Sequence, residues 1–389
     1  MNQETAVGVI GAGTMGSGIA QVAATDGHRV SVFDSNADAR SGAQARIHKI
    51  LGRLAEKGRL DRESAKAIGE RIVFVPDLQG FGDCGFVIEA VVERLDVKTA
   101  VFAEVESVVA DDCVLATNTS SLSIAAISAA CSKPERVIGA HFFNPAPLMP
   151  LVEIVPGLTT SEAVVHATRA LIDDWGKTTV VAKDTAGFIV NRVARPFYGE
   201  ALRILEEGIA DVATIDWAMK EFGGFRMGPF ELMDFIGNDV NYKVTETVFA
   251  AFFYDPRYKP SFAQKRLVEA GWLGRKSGRG FYDYREGAPH PQPKKDDAVG
   301  REILMRILVM LINEAADALF WQVASRDDID LAMTKGVNYP RGLLRWADDT
   351  GLDEVLDRLG RLFAEYGEDR YRPSPLLRRM AAKGKTFYS

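Results

Sequence analysis

The sequence predicts a doubly wound α/β domain followed by two all-α domains in tandem. Short apolar segments of strand type alternate with helical segments over residues 1–184. Strand signals nearly vanish from Thr185 onward, where apolar residues recur with helical spacing. A polar, proline-bearing linker at 285–299 then divides the helical part into residues 185–284 and residues 300–389.

The order of elements in the first domain supports this fold class. Its predicted strands are Ala6–Ile10, Val30–Phe33, 72–75, 86–89, Val114–Thr117, 137–140, 151–155 and Thr178–Val181. The longest predicted helices between them are 37–58, 96–110 and 161–175. Alternation of this kind is typical of one sheet with helices on both faces.

A glycine-rich turn opens the domain. The strand Ala6–Ile10 leads into Gly-Ala-Gly-Thr-Met-Gly at 11–16, an apolar helix follows, and the strand Val30–Phe33 ends at Asp34. Strand, turn, helix, strand and acid in this register are typical of a Rossmann-type dinucleotide site, where the helix N-terminus faces the pyrophosphate.

Each glycine and the acid then have an expected role. Gly11 allows the tight turn, Gly13 lets the backbone approach the phosphates, and Gly16 lets helix and strand pack closely. Asp34 accepts both ribose hydroxyls and repels a 2′-phosphate, and no arginine follows it directly, so the predicted cofactor is NAD rather than NADP. The predicted cofactor contacts in this turn are Gly11, Gly13, Thr14, Met15 and Gly16.

Composition excludes several other functions. The 389 residues are 47% apolar and carry a net charge of −6, which is typical of a globular protein and argues against nucleic-acid binding. The three cysteines form no CxxC pair and no Cys/His cluster, so we expect reduced, structural thiols and no metal site. The glycine turn explains the uncharged run 5–25 better than a membrane span does, so we expect a cytoplasmic protein with no membrane contact.

One histidine has the position of a catalytic base. Ligands of doubly wound sheets bind beyond the carboxyl ends of the strands, and His141 is the only one of five histidines that directly follows a predicted strand. A neutral imidazole there could take the proton of an alcohol as hydride leaves. Glu153, inside the apolar run 151–155, is either the carboxylate partner of His141 or a glutamate at an exposed strand edge.

A polar segment after the strand Val114–Thr117 also has two interpretations. Asn118, Ser120 and Ser121 follow this strand directly. They either cap the next helix or bind an oxygen atom at the carboxyl edge of the sheet.

The two helical segments repeat one another. A shift of 114 residues aligns them without a gap: Glu200 falls on Glu314, Leu205 on Leu319, Asp216 on Asp330, Gly228 on Gly342, Asp234 on Asp348, Gly237 on Gly351 and Asp239 on Asp353. Because the register is kept through the loops, we interpret the two segments as a duplicated domain.

Six motifs along the chain identify a family. They are Gly-Ala-Gly-Thr-Met-Gly at 11–16, Asn-Thr-Ser-Ser-Leu at 118–122, His-Phe-Phe-Asn-Pro at 141–145, Gly-Phe-Ile-Val-Asn-Arg at 187–192, Gly-Pro-Phe-Glu-Leu-Met-Asp at 228–234 and Gly-Arg-Lys-Ser-Gly-Arg-Gly-Phe-Tyr at 274–282. In this order and spacing they resemble the L-3-hydroxyacyl-CoA dehydrogenases, including the short-chain 3-hydroxybutyryl-CoA enzymes. The resemblance implies helical domains like the C-terminal domain of 6-phosphogluconate dehydrogenase. It also implies reversible, NAD-dependent oxidation of a 3-hydroxyacyl-CoA to a 3-oxoacyl-CoA in fatty-acid or related acyl-CoA catabolism.

The resemblance also implies roles for the residues that carry it. His141 would be the catalytic acid/base and Glu153 its partner. Ser120 and Asn191 would hydrogen-bond the 3-oxygen of the substrate and hold it near the nicotinamide.

Further residues would bind the cofactor and CoA. Asn118 and Asn144 would lie on the nicotinamide side, and Glu93 and Lys98 would lie along the cofactor. Lys57 would contact the CoA moiety, although a solvated surface lysine is the commoner situation.

The second helical segment departs from the family pattern. Met305 stands at the position of Asn191, and Gly-Leu-Leu-Arg at 342–345 replaces Gly-Pro-Phe-Glu at 228–231. We interpret this segment as a degenerate, non-catalytic copy. In single-copy members of the family the helical domain mediates dimerisation, so the resemblance implies an intrachain pseudo-dimer in a monomer, or a further homodimer.

Two other functions stay open at this point. The lambda-crystallins and their sugar-acid dehydrogenase relatives look similar, which would make the substrate a free hydroxy acid or sugar acid. A structural protein that merely retains NAD is the other alternative. Four intact residues argue against it, because packing does not require all of them: His141, Glu153, Ser120 and Asn191.

Overall fold

The computed structural model describes residue 1 and residues 4–388 of the chain. The protein consists of two compact units, which comprise residues 1–188 and residues 189–389. The first is built on a sheet, and the second is helical and contains both predicted helical copies. Among the described residues, no helix has the length and apolar character needed to cross a membrane.

The first unit contains an eight-stranded sheet with the order β3-β2-β1-β4-β5-β6-β7-β8. The strands are β1 (Ala6–Ile10), β2 (Val30–Phe33), β3 (Ile72–Phe74), β4 (Cys84–Glu89), β5 (Val114–Thr117), β6 (Val137–Phe142), β7 (Leu151–Pro156) and β8 (Thr178–Val181). Neighbouring strands run parallel, except β6 and β7, which are antiparallel. The strands are nearly continuous apolar runs because helices cover the sheet on both faces.

Polar side chains cap four of the six helices described in this unit. They are α1 (Thr14–Asp26), α2 (Ala37–Glu56), α3 (Arg62–Glu70), α4 (Leu95–Glu106), α5 (Ile124–Ser128) and α6 (Glu162–Asp174). Asn36, Asp61, Ser123 and Ser161 accept hydrogen bonds from backbone N–H groups in the first turns of α2, α3, α5 and α6. Helix α3 was not predicted, because its polar sequence buries only Ala65, Ile68 and Gly69.

Strand β6 differs from its prediction in a way that matters for function. It runs to Phe142 instead of ending at residue 140, so His141 lies inside the strand and not after it. The chain reverses direction after β6, and β7 pairs with β6 in antiparallel fashion as far as Phe142. In this register His141 lies directly opposite Glu153.

The second unit consists of two sets of helices. Helical copy 1 contains α7 (Val190–Val193), α8 (Arg195–Glu206), α9 (Val212–Glu221), α10 (Pro229–Ile236), α11 (Asn238–Ala251) and α12 (Phe262–Glu269). Helical copy 2 contains α13 (Asp297–Phe320), α14 (Arg326–Gly336), α15 (Leu343–Thr350), α16 (Leu352–Tyr366) and α17 (Pro375–Ala381). Helix α13 starts at Asp297, so residues 297–299 of the predicted linker are helical.

The two copies fold around equivalent aspartates. In copy 1, Asp216 accepts hydrogen bonds from the backbone N–H groups of Phe230 and Glu231, each 2.9 Å long, and from the Tyr282 hydroxyl at 2.7 Å. In copy 2, Asp330 does the same for the N–H groups of Leu344 and Arg345, at 2.8 and 3.0 Å, and for the Tyr388 hydroxyl at 2.9 Å. The glycine before each capped helix, Gly228 or Gly342, has no room for a Cβ atom beside its aspartate.

A pair of buried glutamates joins the copies reciprocally. Glu314 of copy 2 accepts hydrogen bonds from Arg192 Nε at 2.6 Å and Tyr258 OH at 2.5 Å, and Arg257 Nη1 lies 3.5 Å away. These three donors all belong to copy 1.

The equivalent glutamate of copy 1 has the mirrored partners. Glu200 accepts from Arg306 Nε, Arg370 Nη1 and Tyr371 OH, each at 3.1 Å. These three donors all belong to copy 2. Each copy therefore supplies two arginines and a tyrosine to the glutamate of the other, the pattern expected of a pseudo-twofold interface.

Candidate active site

The glycine turn has the geometry that its sequence predicts. Gly11 has φ +104°, and an added Cβ atom would lie 2.7 Å from the carbonyl oxygen of Ala90. A Cβ on Gly16 would overlap the carbonyl oxygen of Gly11, so this glycine packs against the turn itself. A Cβ on Gly13 would meet no protein atom within 4 Å. Packing therefore explains Gly11 and Gly16, whereas the open space at Gly13 suits the approach of a ligand.

The N-terminus of α1 faces this open space. Helix α1 starts at Thr14, and its N-cap residue Gly13 provides no side-chain hydrogen bond. Gly13 and Thr14 are exposed, and Met15 is half-buried. The first N–H groups of a helix lack intrahelical partners, so this end can bind an anion such as a pyrophosphate.

Asp34 stands beside the turn at the end of β2. Its Oδ2 accepts a hydrogen bond from Ala12 N at 2.8 Å, and its Oδ1 accepts from Asn36 N at 2.9 Å. Two arginines of α2 support the same corner: Arg40 donates to the Asp34 carbonyl, and Arg46 donates to the Ala12 carbonyl at 2.9 Å. Sequence reasoning missed both, although their positions in the first and third turns of the helix after Asp34 could have indicated them.

His141 and Glu153 form a buried hydrogen-bonded pair. His141 Nδ1 lies 2.7 Å from Glu153 Oε2 across the antiparallel pair of β6 and β7. Glu153 is fully buried, and β8 pairs with the other edge of its strand. The ring centroids of Phe143 and Phe188 lie 4.5 and 5.8 Å from the centroid of the His141 ring. The alternative of an exposed strand edge for Glu153 is therefore wrong.

The segment after β5 does not cap the next helix. Ser123 does so, since its Oγ accepts a hydrogen bond from Ala126 N. Asn118 Oδ1 instead accepts a hydrogen bond from Phe142 N at 2.8 Å, which ties this segment to the strand that carries His141. Ser120 and Ser121 bond to Glu93, and both are half-buried.

Glu93 and Lys98 are placed differently from one another. Glu93 lies in the connection from β4 to α4, and its side chain is 37% exposed. Burial alone would raise the pKa of Glu93, but Lys98 and hydrogen bonds from Thr119 and Ser120 outweigh it, so the pKa of this carboxyl is lowered. Lys98, in the first turn of α4, is 1% exposed and pairs with Glu89 and Glu93.

The remaining predicted residues belong to three different elements of the chain. Asn144 is exposed in the connection after β6, and Lys57 is exposed at the C-cap of α2. Asn191 is half-buried in α7 of the second unit. Among the described residues, no three histidine, cysteine, aspartate or glutamate side chains cluster so as to hold a metal ion.

Comparison with known proteins places these features in a family. Residues 6–185 match the family description "3-hydroxyacyl-CoA dehydrogenase, NAD binding domain", and residues 187–284 and 303–387 match "3-hydroxyacyl-CoA dehydrogenase, C-terminal domain". The chain belongs to the 3-hydroxyacyl-CoA dehydrogenase family. The predicted family, the fold class and the NAD cofactor are thereby confirmed.

Individual relatives match over most of the chain. The sequence is 40% identical to 3-hydroxyadipyl-CoA dehydrogenase of Escherichia coli, over 96% of this chain and 97% of that protein. It is 42% identical to 3-hydroxybutyryl-CoA dehydrogenase of Bradyrhizobium diazoefficiens, over 73% of this chain and 97% of that one. A crystal structure of 3-hydroxybutyryl-CoA dehydrogenase from Escherichia coli K12 superimposes with a TM-score of 0.92 at 39% identity, covering 98% of this chain and 99% of the other.

Proposed function

We propose that the protein oxidises a 3-hydroxyacyl-CoA to the 3-oxoacyl-CoA with NAD, using His141 as the acid/base and Glu153 as its partner. The buried hydrogen bond of 2.7 Å between His141 Nδ1 and Glu153 Oε2 is the observation that carries this proposal. A carboxylate on one ring nitrogen fixes the tautomer and orientation of a histidine whose other nitrogen exchanges a proton with the substrate.

The reaction needs one proton transfer and one hydride transfer. His141 Nε2 takes the proton of the 3-hydroxyl group, while the C3–H bond breaks and its electron pair leaves as hydride. NAD, when bound, supplies the acceptor for that hydride. The imidazolium that forms is stabilised by the Glu153 carboxylate, which keeps its own charge. In the reverse direction the imidazolium returns its proton to the ketone oxygen.

The glycine turn supports NAD as the cofactor. The open space at Gly13 and the exposed start of α1 suit the pyrophosphate, with Thr14 and Met15 beside it. We propose that Asp34 binds the adenosine ribose and that Asn118 and Asn144 lie on the nicotinamide side.

The substrate contacts rest on the family resemblance. We propose that Ser120 and Asn191 hydrogen-bond the 3-oxygen and that Lys57 contacts CoA. The exposed lysine at the end of α2 is compatible with such a contact. A cytoplasmic location stays a prediction from the sequence.

We further propose that the two helical copies act as an intrachain pseudo-dimer. The reciprocal clusters around Glu200 and Glu314 support this proposal, because each copy provides the partner surface of the other. Light scattering should then give the mass of one chain, 42.6 kDa. Twice that mass would mean that a second surface joins two chains.

A substrate panel tests the reaction class. NAD reduction is followed by nicotinamide absorbance with 3-hydroxybutyryl-CoA, 3-hydroxyadipyl-CoA and a free hydroxy acid, each with NAD and with NADP. We expect turnover of the two CoA thioesters with NAD, and their ratio would define the preferred acyl tail. Turnover of the free acid alone would show that the substrate is a free hydroxy acid or sugar acid, as in the sugar-acid dehydrogenases.

The role of Glu153 has its own test. The variant Glu153→Gln keeps the shape of the side chain but cannot stabilise the imidazolium, so kcat should fall by about 10³- to 10⁴-fold while NAD still binds. An unchanged kcat would remove Glu153 from the mechanism.

A further inference from the structure

Arg195, at the start of α8, is a buried cation that pairs with no carboxylate of the described residues. Its side chain is 7% exposed. Nη1 donates to Thr245 Oγ1 at 3.2 Å and to the Asn241 carbonyl oxygen at 3.5 Å, whereas Nε has no hydrogen-bond partner among the described residues. A guanidinium group keeps its proton in proteins, and a buried charge is costly unless an opposite charge balances it. The usual counter-ion of a buried arginine is therefore not provided by an acidic residue here.

A small cavity lies beside Arg195, within the second unit. Its volume of about 10 Å³ is close to the smallest that holds one water molecule. Two further cationic residues, Arg257 and Lys259, line it together with Thr245 and Gln264, and no acidic residue is among its lining residues. Arg257 Nε, like Arg195 Nε, has no hydrogen-bond partner in the described part of the chain. The cavity is thus surrounded by positive charge and by N–H donors.

The two reciprocal clusters differ by one charge. The cluster around Glu200 joins as many glutamates as arginines, namely Glu200, Glu207, Glu368, Arg203, Arg306 and Arg370. On the other side, Arg192 and Arg257 pair with Glu314 and Asp317. Arg195, which lines one cavity with Arg257, adds a third cation there. A single negative charge in this cavity would make the second cluster neutral as well.

The fold itself does not require a charge at this position. A shift of 114 residues places Val309 of copy 2 at the position of Arg195, and Leu359 at that of Thr245. Both Val309 and Leu359 are fully buried. Copy 2 therefore builds the same framework with an apolar interior, so the polar groups around Arg195 in copy 1 point to a ligand rather than to packing.

We propose that this cavity binds one small monovalent anion of the size of chloride. The unpaired Nε–H groups of Arg195 and Arg257 are the donors available to it, and its charge balances that of Arg195. Phosphate, sulfate and carboxylate groups are too large for the cavity, which selects a halide by size. The bound anion stabilises the folded helical unit. This site does not depend on the proposed dehydrogenase activity.

Thermal unfolding of the full chain in mixtures of potassium chloride and potassium gluconate tests the site. The potassium concentration is held constant, and gluconate is too large to enter the cavity. A ligand that binds only the folded state stabilises it by mass action, so a tenfold excess of chloride over its dissociation constant should raise Tm by about 3–6 °C. A Tm that does not rise when chloride replaces gluconate would overturn the proposal.

The variant Arg195→Met removes the charge and makes the position apolar, as it is in copy 2. In gluconate its Tm should equal or exceed that of the wild type, because the unbalanced charge is gone, and chloride should not raise it. Arg370→Met is the matched control, since Arg370 is similarly buried but pairs with Glu200 and Glu368. It should lower Tm in both salts and keep the full rise with chloride. A wild-type response to chloride in Arg195→Met would contradict the proposal.

Gly199→Ala is a second variant, which keeps the charge of Arg195. Gly199 lines the cavity from α8, and an added Cβ atom would contact no atom outside its own helix within 4 Å. The methyl group fits the helix but takes space from the anion, so the rise of Tm with chloride should be smaller than in the wild type. An undiminished rise would show that chloride binds elsewhere, and the proposal would fail.

Bromide makes the site directly visible, because it resembles chloride and scatters X-rays anomalously. Wild-type crystals grown with sodium bromide should show an anomalous peak in the cavity, within hydrogen-bond distance of Arg195 Nε. The same crystals of Arg195→Met should show none. A water molecule in the wild-type cavity without anomalous signal, or a peak that persists in Arg195→Met, would overturn the proposal.

Discussion

Helical copies 1 and 2 share their internal framework and differ on their surfaces. Asp216 and Asp330 each bind two backbone N–H groups and a tyrosine hydroxyl. By contrast, Phe235, Ile236 and Val240 of copy 1 are 60, 38 and 45% exposed. Their counterparts in copy 2 are polar, namely Asp349, Thr350 and Glu354.

This comparison of the copies separates residues that the fold requires from residues that the proposed chemistry requires. Residues that hold the helices in place are the same in both copies, because a buried carboxylate without donors would destabilise either one. The position of Asn191, which has the proposed role at the substrate, has become Met305. We therefore expect copy 2 to keep the fold without the proposed chemistry, which makes it a control for copy 1.

The largest effect on stability is expected when the central glutamate of either reciprocal cluster, Glu200 or Glu314, loses its charge. Glu314→Gln removes the buried carboxylate that Arg192 and Arg257 share, although Arg257 keeps its contact with Asp317. Glu200→Gln likewise removes the carboxylate that Arg306 and Arg370 share, although Arg306 keeps Glu207 and Arg370 keeps Glu368. Each variant should lower the free energy of unfolding by about 3–5 kcal/mol, measured by urea denaturation. Equal losses would support pseudo-twofold equivalence of the clusters, and a loss below ~1 kcal/mol in either would contradict it.

An exposed pair provides the control for that comparison. Glu354 and Arg358 form an i,i+4 contact on the surface of α16. Glu354→Gln should change the free energy of unfolding by no more than about 0.5 kcal/mol.

The second effect is a pH dependence that comes from Glu314. Burial alone would raise the pKa of Glu314, but Arg192 and Arg257 outweigh it, so the pKa is lowered in the folded state. The unfolded chain then binds the proton more tightly, and the stability that Glu314 contributes is present above its ordinary pKa and is lost as the pH falls below it. Acid titration of unfolding should show this loss in the wild type and a smaller one in Glu314→Gln.

The third effect contrasts the chemistry of the copies. Asn191→Ala should lower kcat/KM for 3-hydroxybutyryl-CoA by about 10²-fold, the usual cost of losing one donor to a reacting oxygen. The equivalent change in copy 2, Met305→Ala, should leave kcat/KM unchanged. Equal losses from the two changes would show that the helical copies are not functionally distinct.

The fourth effect concerns the shared aspartates. Asp216→Asn and Asp330→Asn each replace a carboxylate oxygen by an NH₂ group, which brings donors against backbone N–H groups of a first helical turn. Each should cost about 1–3 kcal/mol in the free energy of unfolding. A cost in only one copy would show that the frameworks differ more than their geometry indicates.

The smallest effect tests the surface difference. Val240→Glu gives copy 1 the residue that copy 2 has at this position. The side chain is 45% exposed, so the free energy of unfolding should change by no more than about 0.5 kcal/mol. A larger loss, seen in thermal unfolding, would mean that Val240 supports the packing of copy 1.

Local patterns were enough to predict β1, which leads into the glycine turn, and β2, which follows its helix. The bounds of β1 and β2 agree with the sequence prediction, because a short apolar run, a turn and an acid are all local signals. Helix α3 was missed, since it has only a narrow apolar stripe. The repeat could be found from the sequence because a shift of 114 residues aligns the two copies through their loops as well as their helices, for example Asp216 with Asp330.

Long-range contacts could not be predicted in the same way. The pairing of His141 with Glu153 depends on β7 running antiparallel to β6, and residue spacing left an exposed glutamate equally possible. The mirrored partners of Glu200 and Glu314 lie far along the chain and became evident only in three dimensions.

Because β6 and β7 pair antiparallel, the length of the connection between them determines which residue of β7 lies opposite His141. In the observed register Glu153 faces His141, while its neighbours Val152 and Ile154 face Phe142 and Ala140. A register slip of one residue would present an aliphatic side chain to the imidazole and turn the carboxylate to the other face of the sheet. An insertion or deletion between 143 and 150 that shifts this register would therefore break the proposed catalytic pair while leaving His141 and Glu153 in the sequence.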